Sequence, residues 1–210
     1  MEDTFIRTVL DAWGIPDMTP DRQIIKIFEN VRDIRFGSIG SRDPQDVYTH
    51  NKGTCSGKNF LLRELYKGIG LDTKDMICMQ RWKDLTWFPD DVYGLVDLPD
   101  ELRDQLARWE IIDFHNYVKV LIDNIWVIVD ATIDRPLAKL GFYTTEHWDG
   151  VSDMPLCFVG SHKVWDCGDA GFEQKAALTG MLPQELQDAR HRFLVTLTGW
   201  LDSLRETGKI

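Results

Sequence analysis

The sequence predicts an α+β fold built on an antiparallel sheet. Two helical patterns precede the middle of the chain, two β-rich runs joined by a tight turn occupy it, and a long helical pattern closes it. Helices, then consecutive strands, then a helix is the order of α+β proteins, not of alternating βαβ units.

The first helix is expected from Thr19 to Phe36. Thr19 is a natural N-cap, Pro20 suits the first helical position, and Ile24, Ile27, Phe28, Val31 and Ile34 recur at helical spacing. Residues 37–46 carry Gly, Ser, Asp and Pro and read as a loop. A second helix is expected from Cys55 or Ser56 to Ile69, with Leu61, Leu62, Leu65, Tyr66 and Ile69 on one face and Gly70 placed to stop it. Met76–Trp82 reads as a strand, and Leu102–Trp109 as a short helix after Pro99-Asp100. Phe114–Leu121 and Ile125–Asp130 are the clearest strands, joined at Asp123-Asn124. Residues 132–174 read as loops and short strands. The last helix is expected from Pro183 to Arg205, with Leu186, Ala189, Phe193, Leu197, Trp200 and Leu204 as its buried stripe. The 210 residues suit one domain, 1–210, with a motif-bearing core at about 19–135 and a C-terminal part, 136–210, of loops plus the final helix.

Composition narrows the function. Lys plus Arg is 24 and Asp plus Glu is 34, a formal charge of −10, which disfavours non-specific nucleic-acid binding. No apolar run approaches the roughly 20 residues of a membrane span. The acidic start, Met1-Glu2-Asp3, does not resemble a secretory signal, so a cytoplasmic protein with reduced thiols is expected. Its four cysteines, Cys55, Cys78, Cys157 and Cys167, form no CxxC pair and no Cys/His cluster at zinc-finger spacing. No metal and no cofactor is expected.

Three residues have settings that chemistry needs. Cys55 lies in Asn51-Lys52-Gly53-Thr54-Cys55-Ser56-Gly57, where a glycine-containing loop enters a helix. The free N–H groups of a helix N-terminus favour thiolate over thiol and can stabilise an oxyanion. A turn centred between Asp123 and Asn124 puts Tyr117 opposite Asp130. His115, two residues from Tyr117, then shares its face and is a diagonal neighbour of Asp130, roughly 7 Å away at the backbone. An Asp beside a His fixes the imidazole tautomer and stabilises imidazolium. Asp130 also ends the apolar run Ile125–Val129, so its carboxylate needs a partner. The bland alternatives are a buried structural cysteine and an ordinary cross-strand polar pair. Zinc ligation by Cys55, His115 and Asp130 is a third reading.

Three blocks in order resemble the transglutaminase-like superfamily. Lys52-Gly53-Thr54-Cys55-Ser56-Gly57-Lys58 through Leu65-Tyr66-Lys67-Gly68-Ile69-Gly70-Leu71 is similar to its nucleophile helix. Phe114-His115-Asn116-Tyr117-Val118-Lys119-Val120 resembles its histidine strand, and Ile125-Trp126-Val127-Ile128-Val129-Asp130-Ala131-Thr132 its aspartate strand. The resemblance implies a papain-like fold, with a nucleophile helix packed on an antiparallel sheet, and acyl transfer through a thioester. It implies that Cys55 is the nucleophile, His115 the general base and later acid, and Asp130 the residue orienting His115. The substrate would be a peptide or small-molecule amide or another acyl compound, passed to water or an amine. An upstream side chain usually joins the cysteine N–H in the oxyanion hole, with Tyr48, His50 and Asn51 as candidates. Trp82, Trp87 and Phe88 could line a substrate groove or simply pack. The alternative is a catalytically inactive binding module of the same fold.

Overall fold

The computed structural model describes residues 2–82, 98–157 and 163–210. Helices α1 (Glu2–Ala12), α2 (Pro20–Arg32), α3 (Pro44–His50) and α4 (Cys55–Gly68) come first. Two short strands, β1 (Arg35–Phe36) and β2 (Lys52–Gly53), pair in parallel and close the loop before α4. The main sheet follows, with β3 (Thr73–Arg81), β4 (Ile112–Ile122), β5 (Ile125–Val129) and β6 (Lys163–Gly168). Its order is β5-β4-β3-β6 and every pair is antiparallel. Helices α5 (Asp100–Arg108), α6 (Gly171–Gly180) and α7 (Gln184–Glu206) complete the chain. The α+β class with an antiparallel sheet packed against helices is therefore present.

Helix α4 is central. Leu61, Leu62, Leu65 and Tyr66 are fully buried among α1, α2, α3 and the Val118–Val120 stretch of β4. Burying each such side chain stabilises by about 1.5–3 kcal/mol, which anchors the helix and so its first residue, Cys55. Gly70, at φ +85°, turns the chain out of the helix, as its sequence position predicts. The β4–β5 turn has positive φ at Asp123 (49°) and Asn124 (65°), the geometry of a tight two-residue hairpin. Its register runs from Ile122 facing Ile125 to Val118 facing Val129.

Three helices differ from the sequence reading. Helix α1 falls before the first element expected, although Ile6, Val9 and Leu10 form its buried stripe. Helix α3 overlaps the loop expected over 37–46. It buries one side chain, Val47, so it has no periodicity to read, and its signal is the Asp43 carboxylate capping the N–H groups of Gln45 and Asp46. Helix α6 lies within the tract read as loops and short strands up to residue 174. A buried lysine, Lys175, interrupts its apolar face. Among the described residues no helix is long and apolar enough to cross a membrane.

Candidate active site

Cys55 is the first residue of α4 and is 6% exposed. Thr54, before it, makes no side-chain cap bond, so the first-turn N–H groups are not occupied by a capping oxygen. Gly57, in that turn, admits no side chain: a Cβ there would sit 2.6 Å from Val47 Cγ2.

His115 stands on β4 opposite Cys78 and is completely buried. Its Nε2 lies 2.9 Å from Asp130 Oδ2, and the ring acts electrostatically on the Cys55 thiol. The hairpin register explains the first contact: continued one pair beyond Val129, it sets Asp130 opposite Tyr117 and diagonal to His115. Asp130 accepts further bonds from the Thr132 hydroxyl (2.5 Å), the Thr132 N–H (3.1 Å) and the Cys157 N–H (3.0 Å). Asn59, one turn after Cys55, donates to Cys55 O (3.0 Å), Asn116 O (2.9 Å) and Asp130 Oδ1 (3.3 Å), and accepts from the Ala131 N–H. It ties α4 to β4 and to the chain just after β5. On the other side Lys58 ties α4 to the end of α2 and the chain after β5, donating to the carbonyls of Arg32, Ile34 and Thr132 at 2.6–2.9 Å.

A second charged group meets Cys55 from the C-terminal helices. Lys175 Nζ of α6 lies 3.8 Å from Cys55 Sγ, hydrogen-bonds the Phe114 carbonyl, and sits 3.6 Å from Asp113 Oδ1. Arg190 of α7 donates to Asp113 Oδ1 at 2.7 Å. Asp113 precedes His115 by two residues and faces Gln80 of β3.

These charges set the protonation states. Burial raises the Cys55 pKa, but the Lys175 ammonium, and the hydrogen bond and charge of His115, outweigh it against Asp113 and bring it down to about 6. For His115, burial works against the imidazolium, while charge on Cys157 and Asp130 and the Asp130 hydrogen bond raise its pKa well above the usual value. Cys157 is itself pushed far up by burial and by Asp130, so near neutral pH its thiol is uncharged and Asp130 is the anion supporting the ring. Burial likewise opposes ionisation of Asp130. The charge and bond of His115, the Thr132 hydroxyl and the Cys157 N–H prevail and hold it well below the usual carboxylate range. The combination favours a thiolate–imidazolium pair at neutral pH.

The cavity at Cys55 has about 10 Å³ of free space, the size of one water, between Thr54, Gln80, Trp82, Asp113 and Arg190. Trp82 lines it and packs on Phe193, with ring centroids 4.8 Å apart. Trp87 and Phe88 lie outside the described residues. Tyr48, His50 and Asn51 are not brought to this cavity. Tyr48 packs against Phe5 and Trp13, His50 is exposed at the end of α3, and Asn51 caps that helix at φ 47°. Tyr48 and Asn51 line a separate concavity with Asp33. A larger cavity, about 560 Å³, is lined by charged residues such as Asp33, Asp134 and Arg205 and does not include Cys55. The four cysteines are free thiols. Cys157 Sγ lies 3.8 Å from His115 Nε2. His115, Asp130 and Cys157 place ligand atoms within 4.8 Å of one another, so they are the described residues that could hold a metal. An ion there would displace the bond between His115 and Asp130.

Sequence reasoning missed Lys175, Arg190, Asp113, Asn59 and Cys157. Two of these had a local signal: Asn59 is one helical turn from Cys55, and Asp113 is one strand repeat from His115. No family model, curated protein or solved structure matches the chain.

Proposed function

We propose that the protein is a cysteine-dependent acyl-transfer enzyme acting on an amide or thioester, with a papain-like, transglutaminase-type core. The observation that carries this reading is a buried Cys55 at the start of a helix whose thiol is acidified in part by His115, a histidine whose Nε2 is 2.9 Å from a buried aspartate. In this reading the Cys55 thiolate attacks the acyl carbon, and the first-turn N–H groups of α4 receive the developing oxyanion. His115 gives its proton to the leaving amine or thiol as the tetrahedral adduct collapses to a thioester. It then takes a proton from water or an amine, which attacks the thioester and frees Cys55. Asp130 keeps His115 oriented and favours its charged form. Lys175, absent from the sequence-based reading, adds a fixed cation beside the sulfur.

The test is intact-mass analysis after incubation with pooled peptides or cell extract. A covalent acyl adduct on Cys55, absent in Cys55→Ala, is expected. In parallel, iodoacetamide near pH 7 should label Cys55 faster than Cys78, Cys157 and Cys167. Labelling no faster than that of free cysteine would overturn the reading, and retention of a bound partner by both proteins without adduct would favour the non-catalytic module.

A further inference from the structure

We propose that His115 Nε2, Asp130 Oδ2 and Cys157 Sγ form a binding site for one Zn²⁺ ion, whose occupation switches off the chemistry of Cys55. The binding site stands on geometry alone. The switching rests on His115 serving as the base of the proposed reaction.

The ligand atoms already converge. His115 Nε2 lies 2.9 Å from Asp130 Oδ2 and 3.8 Å from Cys157 Sγ, and the three residues offer ligand atoms all within 4.8 Å of one another. Ligands about 2.0–2.3 Å from a tetrahedral Zn²⁺ stand about 3.3–3.6 Å apart. The two contacts bracket that spacing, so shifts of about 0.5 Å make room for the ion.

The donor set selects the metal. One imidazole nitrogen, one thiolate and one carboxylate oxygen suit zinc, whereas calcium and magnesium take oxygen ligands. All three residues are buried, and the two anionic ligands balance the two charges of the ion, as a buried charge requires. The carboxylate is also held from its far side. Asp130 Oδ1 accepts from the Thr132 hydroxyl, the Thr132 N–H and Asn59, while Oδ2 faces His115 and the Cys157 N–H. Such outer bonds orient a metal ligand. Cys157, a buried thiol that the acyl-transfer steps do not use, gains a role as the third ligand.

Binding forms Zn–N, Zn–O and Zn–S bonds, with no oxidation. The Cys157 thiol and Nε2 of the imidazolium each release a proton to solvent. His115 is then a neutral imidazole with Nε2 on the metal and its remaining proton on Nδ1. Neither nitrogen can accept a proton from water or an amine, so deacylation stops.

The experiment titrates the full chain with Zn²⁺ at buffered free concentrations and, separately, with Co²⁺ as a spectroscopic substitute. Because the ligands are buried, the mixtures are brought to equilibrium. One equivalent should bind, half-saturating below about 1 μM free zinc and undisturbed by excess magnesium. The cobalt form should show a thiolate-to-metal charge-transfer band. That band should persist in Cys55→Ala, whereas Cys157→Ala should lose it and weaken zinc binding about 100-fold or more. Zinc-loaded wild type should turn over no acyl donor, and a chelator should restore turnover. No stoichiometric zinc, or a cobalt spectrum without the thiolate band, overturns the site from the wild type alone, with no variant needed. A band lost in Cys55→Ala and kept in Cys157→Ala does the same. Turnover unchanged by bound zinc overturns the switching. No adduct on Cys55 in the metal-free protein removes the enzymatic reading, and the switching with it, while the zinc site still stands or falls on its spectrum.

Discussion

The cation that matters most for the reactivity of Cys55 is Lys175, and its removal can be worked through. The Nζ–Sγ separation is 3.8 Å. Coulomb's law at that distance gives about 4 kcal/mol for a unit pair at an effective dielectric of about 20, and about 1 kcal/mol in bulk water. The site is buried, but Asp113, 3.6 Å from the same ammonium, offsets part of the field, so about 2 kcal/mol is a fair share for the thiolate. Since about 1.4 kcal/mol is tenfold in proton affinity, Lys175→Met should move the thiol from about 6 to between about 7 and 8. Methionine fills most of the lysine's volume and adds no buried charge, so the fold should survive. The assay is the pH profile of iodoacetamide labelling at Cys55, followed by peptide mass spectrometry, with circular dichroism as the control for folding. At about pH 6.5 the variant should label roughly tenfold more slowly, with the deficit closing above about pH 8.5 as both thiols ionise. A midpoint that stays near 6 in a folded Lys175→Met protein would refute the electrostatic assignment and leave His115 as the sole source of activation.

Three further outcomes follow from the same geometry. Asp130→Asn should cost about 3 kcal/mol near neutral pH, because it breaks a buried charged network. The Asp130 carboxyl is held below its ordinary range, so its contribution is present above about pH 4 and is lost as pH falls toward the folded value; urea unfolding should show the gap to wild type narrowing in acid. Lys58→Met should destabilise by about 3 kcal/mol or more in the same assay, since three buried carbonyls lose their donor together. Gly57→Ala should cost about 1–3 kcal/mol in thermal or urea unfolding, because the new methyl meets Val47, a buried β-branched side chain that strongly prefers one χ1 rotamer in a helix; a neutral result would mean that α3 shifts freely against α4.

Much of the site could be read from the chain because its parts are locally specified. A glycine-containing loop entering an amphipathic helix marks Cys55, and a two-residue turn between apolar runs sets the register that brings Asp130 to His115. The α+β class followed from the same periodicities. What could not be read depends on tertiary packing. Lys175 breaks the stripe of α6, so the residue that charges the site also conceals its helix. Arg190 sits on α7 next to the buried Ala189, and nothing in its neighbours ties it to a strand residue 77 positions earlier. Tyr48, His50 and Asn51 show the converse error. They are close to Cys55 along the chain, but α3 and its left-handed cap carry them to another surface.

The origin of Lys175 and Arg190 has a consequence for synthesis. A ribosome delivers Cys55, His115 and Asp130 well before the two cationic helices. Until those helices dock, the sulfur lacks the ammonium that most strongly acidifies it and the guanidinium that pairs with Asp113. A nascent or truncated chain therefore carries a less acidic Cys55 thiol, and the full lowering of its pKa comes only as the last third of the polypeptide closes over it.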